Sequence, residues 1–261
     1  MNDIDFLASE ISLRFGNVKR ARNCFLYTAK GVRLTDMFLE DGRAILGWRG
    51  ESAFTMFKNV LCRGIAGSFN TDFPYRTKKA VQELFTSERE LFFFYSKEEA
   101  LKASLKFSKN GTSFYRPWLS SETVWSQVDS IVFAPTLPWA ESIFIVAVKP
   151  ECVQNAADIP CKRIPAPLHA AFARSVYNLI FALQNRTEKD WFLYDKVLIN
   201  YWERKGPYLY TKVPEDKYKA FVQHCLDCDL VINPSFSGVS IVPFGADKGV
   251  FTKLKNNPFK V

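Results

Sequence analysis

The sequence lacks long hydrophobic runs and a cysteine pattern typical of disulfides. No apolar run approaches the about 20 residues that span a bilayer, and residues 1–5 lack the basic and apolar regions of a secretory signal. The six cysteines are dispersed through 261 residues, which favours reduced thiols over a disulfide framework. We therefore expect a cytoplasmic protein without a membrane partner.

The sequence does have a large apolar and aromatic fraction. Hydrophobic residues make up 48% of the chain, which includes 24 Phe, 10 Tyr and 6 Trp. This composition differs from that of disordered proteins, and the length suffices for one large domain or two modest ones. There is no internal repeat and no low-complexity segment. The whole chain should fold around a core.

The formal charge is +8, and basic residues gather in residues 19–22, 76–79, 162–163 and 248–260. Acidic residues are interleaved almost everywhere, and no known RNA- or DNA-binding motif accompanies these clusters. The pattern favours a solvated basic surface over a nucleic-acid site. Nucleic-acid binding is kept as an alternative that rests on charge alone.

The strongest local pattern is a strand that runs directly into a capped helix. Residues 91–95 are five bulky apolar or aromatic residues, and Ser96 with Glu99 three positions later forms a capping box. Backbone N–H groups and the positive end of the helix dipole gather at such a start, where they stabilise an anion. The same pattern also fits an ordinary strand-to-helix turn, and this segment alone favours that interpretation.

Apolar periodicity and turn residues predict the other elements. Helices are predicted over residues 3–15, 52–62, 77–85, 168–183, 190–201 and 215–228, and the capped helix should end near residues 108–111. Strands are predicted over residues 24–28, 32–36, 128–134, 142–148, 208–213, 230–233 and 240–243.

Prolines at 150, 160, 165 and 167 predict an irregular crossing, where we place a domain boundary. The predicted parts are an N-terminal segment (residues 1–50) that packs with the small domain, a reduced large α/β domain (51–165), and C-terminal helices with a small α+β domain (166–261).

Three segments together resemble the fold-type I aminotransferases that use pyridoxal phosphate, especially class III. Residues 23–36 with 45–48 are similar to the N-terminal β-meander and its glycine-bearing loop. Residues 96–100 (Ser-Lys-Glu-Glu-Ala) resemble the family's Ser-Gly-x-Glu-Ala signature. The C-terminal small domain of the family is similar to residues 206–214 followed by Tyr218, Phe221, residues 225–226 and residues 232–235. The resemblance covers about half of the chain. It implies an α/β fold with a mixed, largely parallel sheet, and a phosphate site formed by Ser96, Lys97 and Glu98.

This sequence departs from the family pattern at positions that the family uses for cofactor binding and catalysis. Lys97 replaces the signature glycine, so its side chain either crowds the phosphate or offers an ammonium to it. The stretch between Gly111 and Leu168 is much shorter than in the family, which suggests a truncated and degenerate member. That stretch should carry the Schiff-base lysine and the aspartate that faces the pyridine nitrogen. Lys149 is the best-placed lysine, although a solvated residue that ends a strand is the preferred interpretation, and Asp129 opens a strand rather than ending one.

Other candidate sites carry weaker signals. Asn233, Ser235 and Ser237 lie in a loop that either lines a substrate pocket, as the resemblance suggests, or only connects two strands. Lys248 lies in a glycine-rich turn that fits a surface turn better than an anion site. Cys225 and Cys228 lie at helical spacing and lack a second ligand pair, so we expect core thiols and no metal.

Three functional hypotheses remain open. The leading one is an aminotransferase-like homodimer that lacks the Schiff-base lysine, does not catalyse transamination, and binds an anionic small molecule or a protein partner. The second is an active pyridoxal-phosphate-dependent aminotransferase that acts on an amino acid or amine. The third is a nucleic-acid-binding protein. These hypotheses differ in whether a lysine lies beside Ser96 and whether the basic residues form one continuous face.

Overall fold

A computed structural model describes residues 2–50, 52–108, 111–119, 123–155 and 161–260. The helices are α1 (Asp3–Phe15), α2 (Ser52–Cys62), α3 (Phe73–Phe85), α4 (Lys97–Phe107), α5 (Ala166–Asn185), α6 (Glu188–Trp191), α7 (Asp195–Leu198), α8 (Glu215–Asp227) and α9 (Thr252–Asn256). The strands are β1 (Val18–Arg22), β2 (Phe25–Thr28), β3 (Arg33–Asp36), β4 (Glu90–Phe94), β5 (Thr112–Phe114), β6 (Ser130–Phe133), β7 (Phe144–Val148), β8 (Trp202–Lys205), β9 (Tyr208–Thr211), β10 (Leu230–Val231) and β11 (Ser240–Ile241). Short 3-10 helices cover Trp125–Gln127, Pro150–Asn155, Phe192–Tyr194 and Lys248–Phe251.

The chain divides into two compact units. Unit 1 comprises Met1–Arg49 and Arg186–Val261, and unit 2 comprises Gly50–Asn185. The first division lies beside the predicted boundary at residue 50. The second lies after α5, about 20 residues beyond the predicted boundary, because α5 packs against α2 and α3 within unit 2. The proline-rich crossing therefore does not divide the units.

Unit 2 contains a four-stranded sheet in the order β4-β7-β6-β5. Strand β7 is antiparallel to both β4 and β6, whereas β5 and β6 are parallel. All five residues of β7 are buried, and α4 covers this sheet with Ala100, Ala103 and Phe107. The α/β class with a mixed sheet is confirmed. Three of the four strands, β4, β5 and β6, run in one direction, and β7 runs the opposite way between β4 and β6.

Unit 1 joins the beginning and the end of the chain through one sheet. Strands β1, β2 and β3 form an antiparallel meander, and β10 adds to β3 in parallel, with Leu230 opposite Thr35. A second sheet has the order β11-β9-β8. The N-terminal segment and the C-terminal α+β part thus share one unit.

Gly31, which the sequence places in the tight turn between β2 and β3, has a φ of 79°.

Several predicted elements differ from the observed ones. The continuous helix predicted over residues 190–201 is wrong, because α6, a 3-10 helix and α7 occupy this stretch. The buried Tyr194 hydroxyl donates to the carbonyls of Pro243 and Ala246 (3.2 and 2.6 Å), a tertiary constraint that periodicity does not reveal. Helix α3 begins at Phe73 rather than Thr77, with Pro74 in its first turn, where proline is tolerated.

Arg89 is a completely buried arginine that connects β4 to the segment before β6. Its guanidinium donates to the carbonyls of Trp125 (2.7 Å), Val128 (2.6 Å) and Asp129 (3.1 Å), and to the Ser87 hydroxyl (2.9 Å). Carbonyl groups buried without a donor each cost about 1–3 kcal/mol. Arg89 therefore fixes the start of β6 relative to β4.

Asp36 is a buried carboxylate at the end of β3. It accepts hydrogen bonds from the backbone N–H groups of Phe38 (2.9 Å) and Leu39 (3.0 Å) and from Trp48 Nε1 (2.6 Å). These bonds hold a turn in which Leu39, Glu40 and Asp41 all have positive φ values between 47° and 54°. Such a conformation costs of order 1 kcal/mol for each non-glycine residue, so it needs this anchor.

We predict that Arg89→Met lowers the free energy of unfolding by about 3–5 kcal/mol, because it removes a buried guanidinium that donates to three backbone carbonyls and to the Ser87 hydroxyl. Arg76→Met is the matched control, since Arg76 is exposed and forms an ion pair with the exposed Asp72. It should cost less than about 1 kcal/mol. Urea unfolding measures both values, and equal losses would contradict the role given to Arg89.

We also predict a pH-dependent difference between the wild type and Asp36→Asn. Burial raises the pKa of Asp36 from 3.8 to about 6, although the hydrogen bonds from Leu39, Trp48 and Phe38 act in the opposite direction. The folded state therefore binds this proton more tightly, and the resulting stability is lost as the pH rises through about 6. The unfolding free energy of the wild type minus that of the variant should fall by about 2.5 kcal/mol from pH 4 to pH 7. A flat or rising difference would show that the hydrogen bonds outweigh burial.

Candidate functional site

Three strands of unit 2 end at the same edge of the sheet. Because β7 is antiparallel to β4 and β6, and β5 is parallel to β6, the strands β4, β5 and β6 all run in one direction. Ser96 follows β4, Arg116 follows β5 and Thr136 follows β6. In open α/β sheets, ligands bind outside the carboxyl ends of the strands. We name this region the carboxyl edge.

Ser96 is the N-cap of α4, as the sequence predicts. Its backbone is extended (φ −133°, ψ 136°), and its hydroxyl accepts the N–H of Glu99 at 3.4 Å. The first-turn N–H groups of Lys97 and Glu98 lie at the positive end of this eleven-residue helix. The three residues predicted to hold a phosphate are therefore together at the carboxyl edge.

Two cations accompany this helix start. Phe114, the last residue of β5, has Lys97 Nζ at 4.8 Å and Arg116 Cζ at 5.8 Å from its ring centroid. The Glu98 carboxylate is bound to Lys102 at 2.6 Å, which lowers the pKa of Glu98 and offsets its charge. Sequence reasoning missed Phe114 and Arg116, because only the pairing of β5 with β6 brings them to this edge.

Lys149 lies at the other end of the sheet. In the β4–β7 ladder, Phe94 is opposite Phe144 and Glu90 is opposite Val148, so Lys149 is about 20 Å along the strand from Ser96. Its Nζ donates to the carbonyl of Gln127 (3.1 Å) and to Asp129 Oδ1 (3.4 Å). The structure thus pairs the candidate lysine with the candidate aspartate, but it does not bring either beside Ser96.

Asn233 acts within its own loop in unit 1. The side chain is buried, its Nδ2 donates to Asp41 Oδ1 (3.2 Å) and to the carbonyl of Val239 (3.1 Å), and its Oδ1 accepts the N–H of Ser235 (3.0 Å). Its hydrogen-bonding groups are therefore used to shape the loop.

Ser235 and Ser237 line an open cleft of about 530 Å³ in unit 1, together with residues from α1 and α8 such as Phe6 and Tyr218. The hydroxyl groups of the two serines are 3.3 Å apart. This cleft stays a candidate substrate pocket, and its residues come from a different unit than Ser96.

The remaining candidates lie in a turn and in a helix. Lys248 lies within a turn that Asp247 closes, since Asp247 Oδ1 accepts the N–H of Gly249 at 2.7 Å. Cys225 and Cys228 are buried, and burial raises the pKa of both thiols. No group of three or more His, Cys, Asp or Glu residues could hold a metal ion in the part of the chain that the structure describes.

No known protein-family model matches the chain. An uncharacterized protein from Treponema pallidum (strain Nichols) is 25% identical, with 90% of this chain and 91% of the relative aligned. An uncharacterized protein from Borreliella burgdorferi is 23% identical, with 91% and 88% covered. Both relatives match the chain over nearly its whole length.

Solved structures give the fold. An ornithine aminotransferase from Plasmodium yoelii superposes with a TM-score of 0.69 at 9% identity, covering 98% of this chain and 97% of the enzyme. The chain has the fold of a class III pyridoxal-phosphate aminotransferase. An acetylornithine aminotransferase from Elizabethkingia anophelis gives 0.66 at 11% identity, with the same coverage. At these identities the similarity concerns the fold alone, so truncation and loss of catalytic residues stay predictions.

Pyridoxal phosphate has a phosphate and an aldehyde that the protein must hold. The described residues at the carboxyl edge of this aminotransferase-like chain suit the phosphate. The first turn of α4, with Lys97 and Arg116 nearby, suits a phosphate group. The aldehyde requires an amine at the same edge, and Lys149 is at the opposite one. Besides Lys97, Lys162 is placed near this edge, because its backbone N–H donates to the carbonyl of Phe93 in β4 at 2.8 Å.

We predict that Gly238→Ala destabilises unit 1 by about 1–3 kcal/mol, because an added Cβ would lie 2.4 Å from Asn233 Oδ1. Gly67→Ala is the control, since nothing lies within 4 Å of its added Cβ. Thermal unfolding compares the two variants. If both changed stability equally, Asn233 would not be holding this loop.

Proposed function

We propose that the protein uses its aminotransferase-like fold to bind an anionic small molecule at the carboxyl edge, and that it does not catalyse transamination. The observation that carries this proposal is the β4–β7 register, which separates Lys149 from Ser96. Pyridoxal phosphate is one candidate ligand, because the helix start and two nearby cations suit its phosphate.

The chemistry of transamination supports the second part of the proposal. The reaction needs an amine that bonds the cofactor aldehyde and a carboxylate that keeps its ring protonated. Lys149 and Asp129 contact each other at 3.4 Å and therefore form an ion pair away from the candidate phosphate site. An active aminotransferase would instead need a lysine at the carboxyl edge, where Lys97 and Lys162 are candidates, and this remains the alternative proposal.

The cellular location and the oligomeric state are proposed on separate grounds. All six cysteines are free, which suits a reducing cytoplasm. Among the described residues, no helix is both long enough and apolar enough to cross a membrane. A homodimer is proposed from the aminotransferase-like fold and from the exposed Tyr177 and Phe181, which lie one turn apart on α5. As in the leading hypothesis, we also propose that the chain binds a protein partner other than a second copy of itself.

We predict that titration with pyridoxal phosphate gives saturable binding without stoichiometric modification of a lysine. Calorimetry measures the affinity, and borohydride reduction followed by peptide mass mapping detects pyridoxylated lysines. Lys97→Gln combined with Arg116→Gln should weaken binding about tenfold by removing two cations beside the phosphate. Lys106→Gln, at the other end of α4, should leave the affinity unchanged.

The outcomes separate the hypotheses. A single stoichiometric adduct at Lys97, Lys162, Lys149 or another lysine would contradict the non-catalytic proposal and favour the active alternative. The absence of saturable binding of both pyridoxal phosphate and inorganic phosphate would contradict an anion site at the carboxyl edge. Sedimentation of the same preparation gives the oligomeric state.

A further inference from the structure

The meander β1-β2-β3 in unit 1 presents arginines and aromatic rings on one face. Its register places Arg20 opposite Tyr27, Arg22 opposite Phe25, and Tyr27 opposite Arg33. Residues directly opposite each other in antiparallel strands project from the same face of the sheet. We call these five residues the Arg–aromatic face. The alternate residues of β2, Leu26 and Thr28, are buried on the other side.

The arginines of this face lie against its rings. Arg20 Cζ is 4.5 Å from the centroid of Tyr27, and Arg33 Cζ is 4.6 Å from that of Phe25. All three arginines are exposed, whereas both rings are half-buried. Each ring thus supports a guanidinium group, and stacked guanidinium and aromatic groups are surfaces on which unpaired nucleic-acid bases stack.

The charge of this face is not balanced by neighbouring carboxylates. Among the described residues, none of Arg20, Arg22 and Arg33 forms an ion pair with a carboxylate, and Lys19 in the same edge strand forms none either. The acidic residue of β1, β2 and β3 is Asp36, which is buried and bound to Trp48. By contrast, exposed cations elsewhere, such as Arg76 and Lys102, pair with carboxylates.

We propose that the Arg–aromatic face binds single-stranded nucleic acid, with bases stacking on the Arg20–Tyr27 and Arg33–Phe25 pairs and phosphates contacting Arg22 and Lys19. The five residues of β1 span about 17 Å, which is enough for two or three nucleotides. An acidic peptide or an anionic membrane would be attracted by the positive charge, but it would not stack flat bases on the guanidinium groups over Tyr27 and Phe25. The proposal is independent of the anion site, which lies in unit 2.

The test measures fluorescence anisotropy of a labelled oligouridine 12-mer RNA in 50–200 mM KCl. The triple variant Arg20→Gln, Arg22→Gln, Arg33→Gln should weaken binding at least tenfold and reduce the slope of log affinity against log salt by about 0.7, the value for one lost phosphate contact at Arg22. The control variant Lys196→Gln, Lys217→Gln, Lys255→Gln removes the same charge from exposed positions of unit 1. It should change the affinity less than twofold.

A second variant separates stacking from charge. Arg20→Lys with Arg33→Lys keeps both charges but removes both guanidinium planes, so binding should weaken at least fivefold with an unchanged salt slope. Circular dichroism verifies that the variants are folded. The proposal is overturned if the RNA does not bind at 50 mM KCl, if the two triple variants lose affinity equally, or if a duplex of matched length or vesicles of anionic lipid bind as tightly as the single strand.

Discussion

The antiparallel placement of β7 between β4 and β6 is the constraint on which the organisation of unit 2 depends. It makes β4, β5 and β6 run in one direction, so that Ser96 and Arg116 follow strands at the same edge. It also sends the end of β7, and with it Lys149, to the other edge. Arg89 reinforces this arrangement by binding three carbonyls before β6. The β4–β7 register therefore determines that Lys149 lies at the opposite edge of the sheet from Ser96 and Arg116.

Unit 1 depends on a different buried group. Asp36 ends β3 and holds a turn of left-handed residues, while β10 pairs with the same strand in parallel. Asn233, after β10, also contacts this turn through Asp41. The two ends of the chain are thus joined by backbone pairing and by side chains that are satisfied inside the unit. On the Arg–aromatic face of this sheet, Arg20, Arg22 and Arg33 are exposed, and among the described residues none of them forms an ion pair with a carboxylate.

The two proposed surfaces recognise anions by different physical means. At the carboxyl edge, the proposed ligand would meet the positive end of the α4 dipole, with Lys97 and Arg116 beside Phe114, which suits a compact phosphate. On the Arg–aromatic face, guanidinium groups are spread over rings along a strand, which suits a repeating chain of phosphates and bases. The sequence suggested a solvated basic surface because acidic residues are interleaved along the chain. In the fold, the carboxylate of Asp36 is buried while Arg20, Arg22 and Arg33 are exposed.

Features that depend on local interactions could be predicted without the structure. The cap at Ser96, the turn at Gly31 and the apolar runs of β4, β6 and β7 depend on neighbours a few residues away, so their positions could be predicted. The break in residues 190–201 could not, because Tyr194 bonds carbonyls about 50 residues later. The partners of Lys149, Arg89 and Arg20 were likewise decided only by tertiary structure. Strand register and direction fix which distant residues meet, and these depend on packing of the whole unit rather than on the residues themselves.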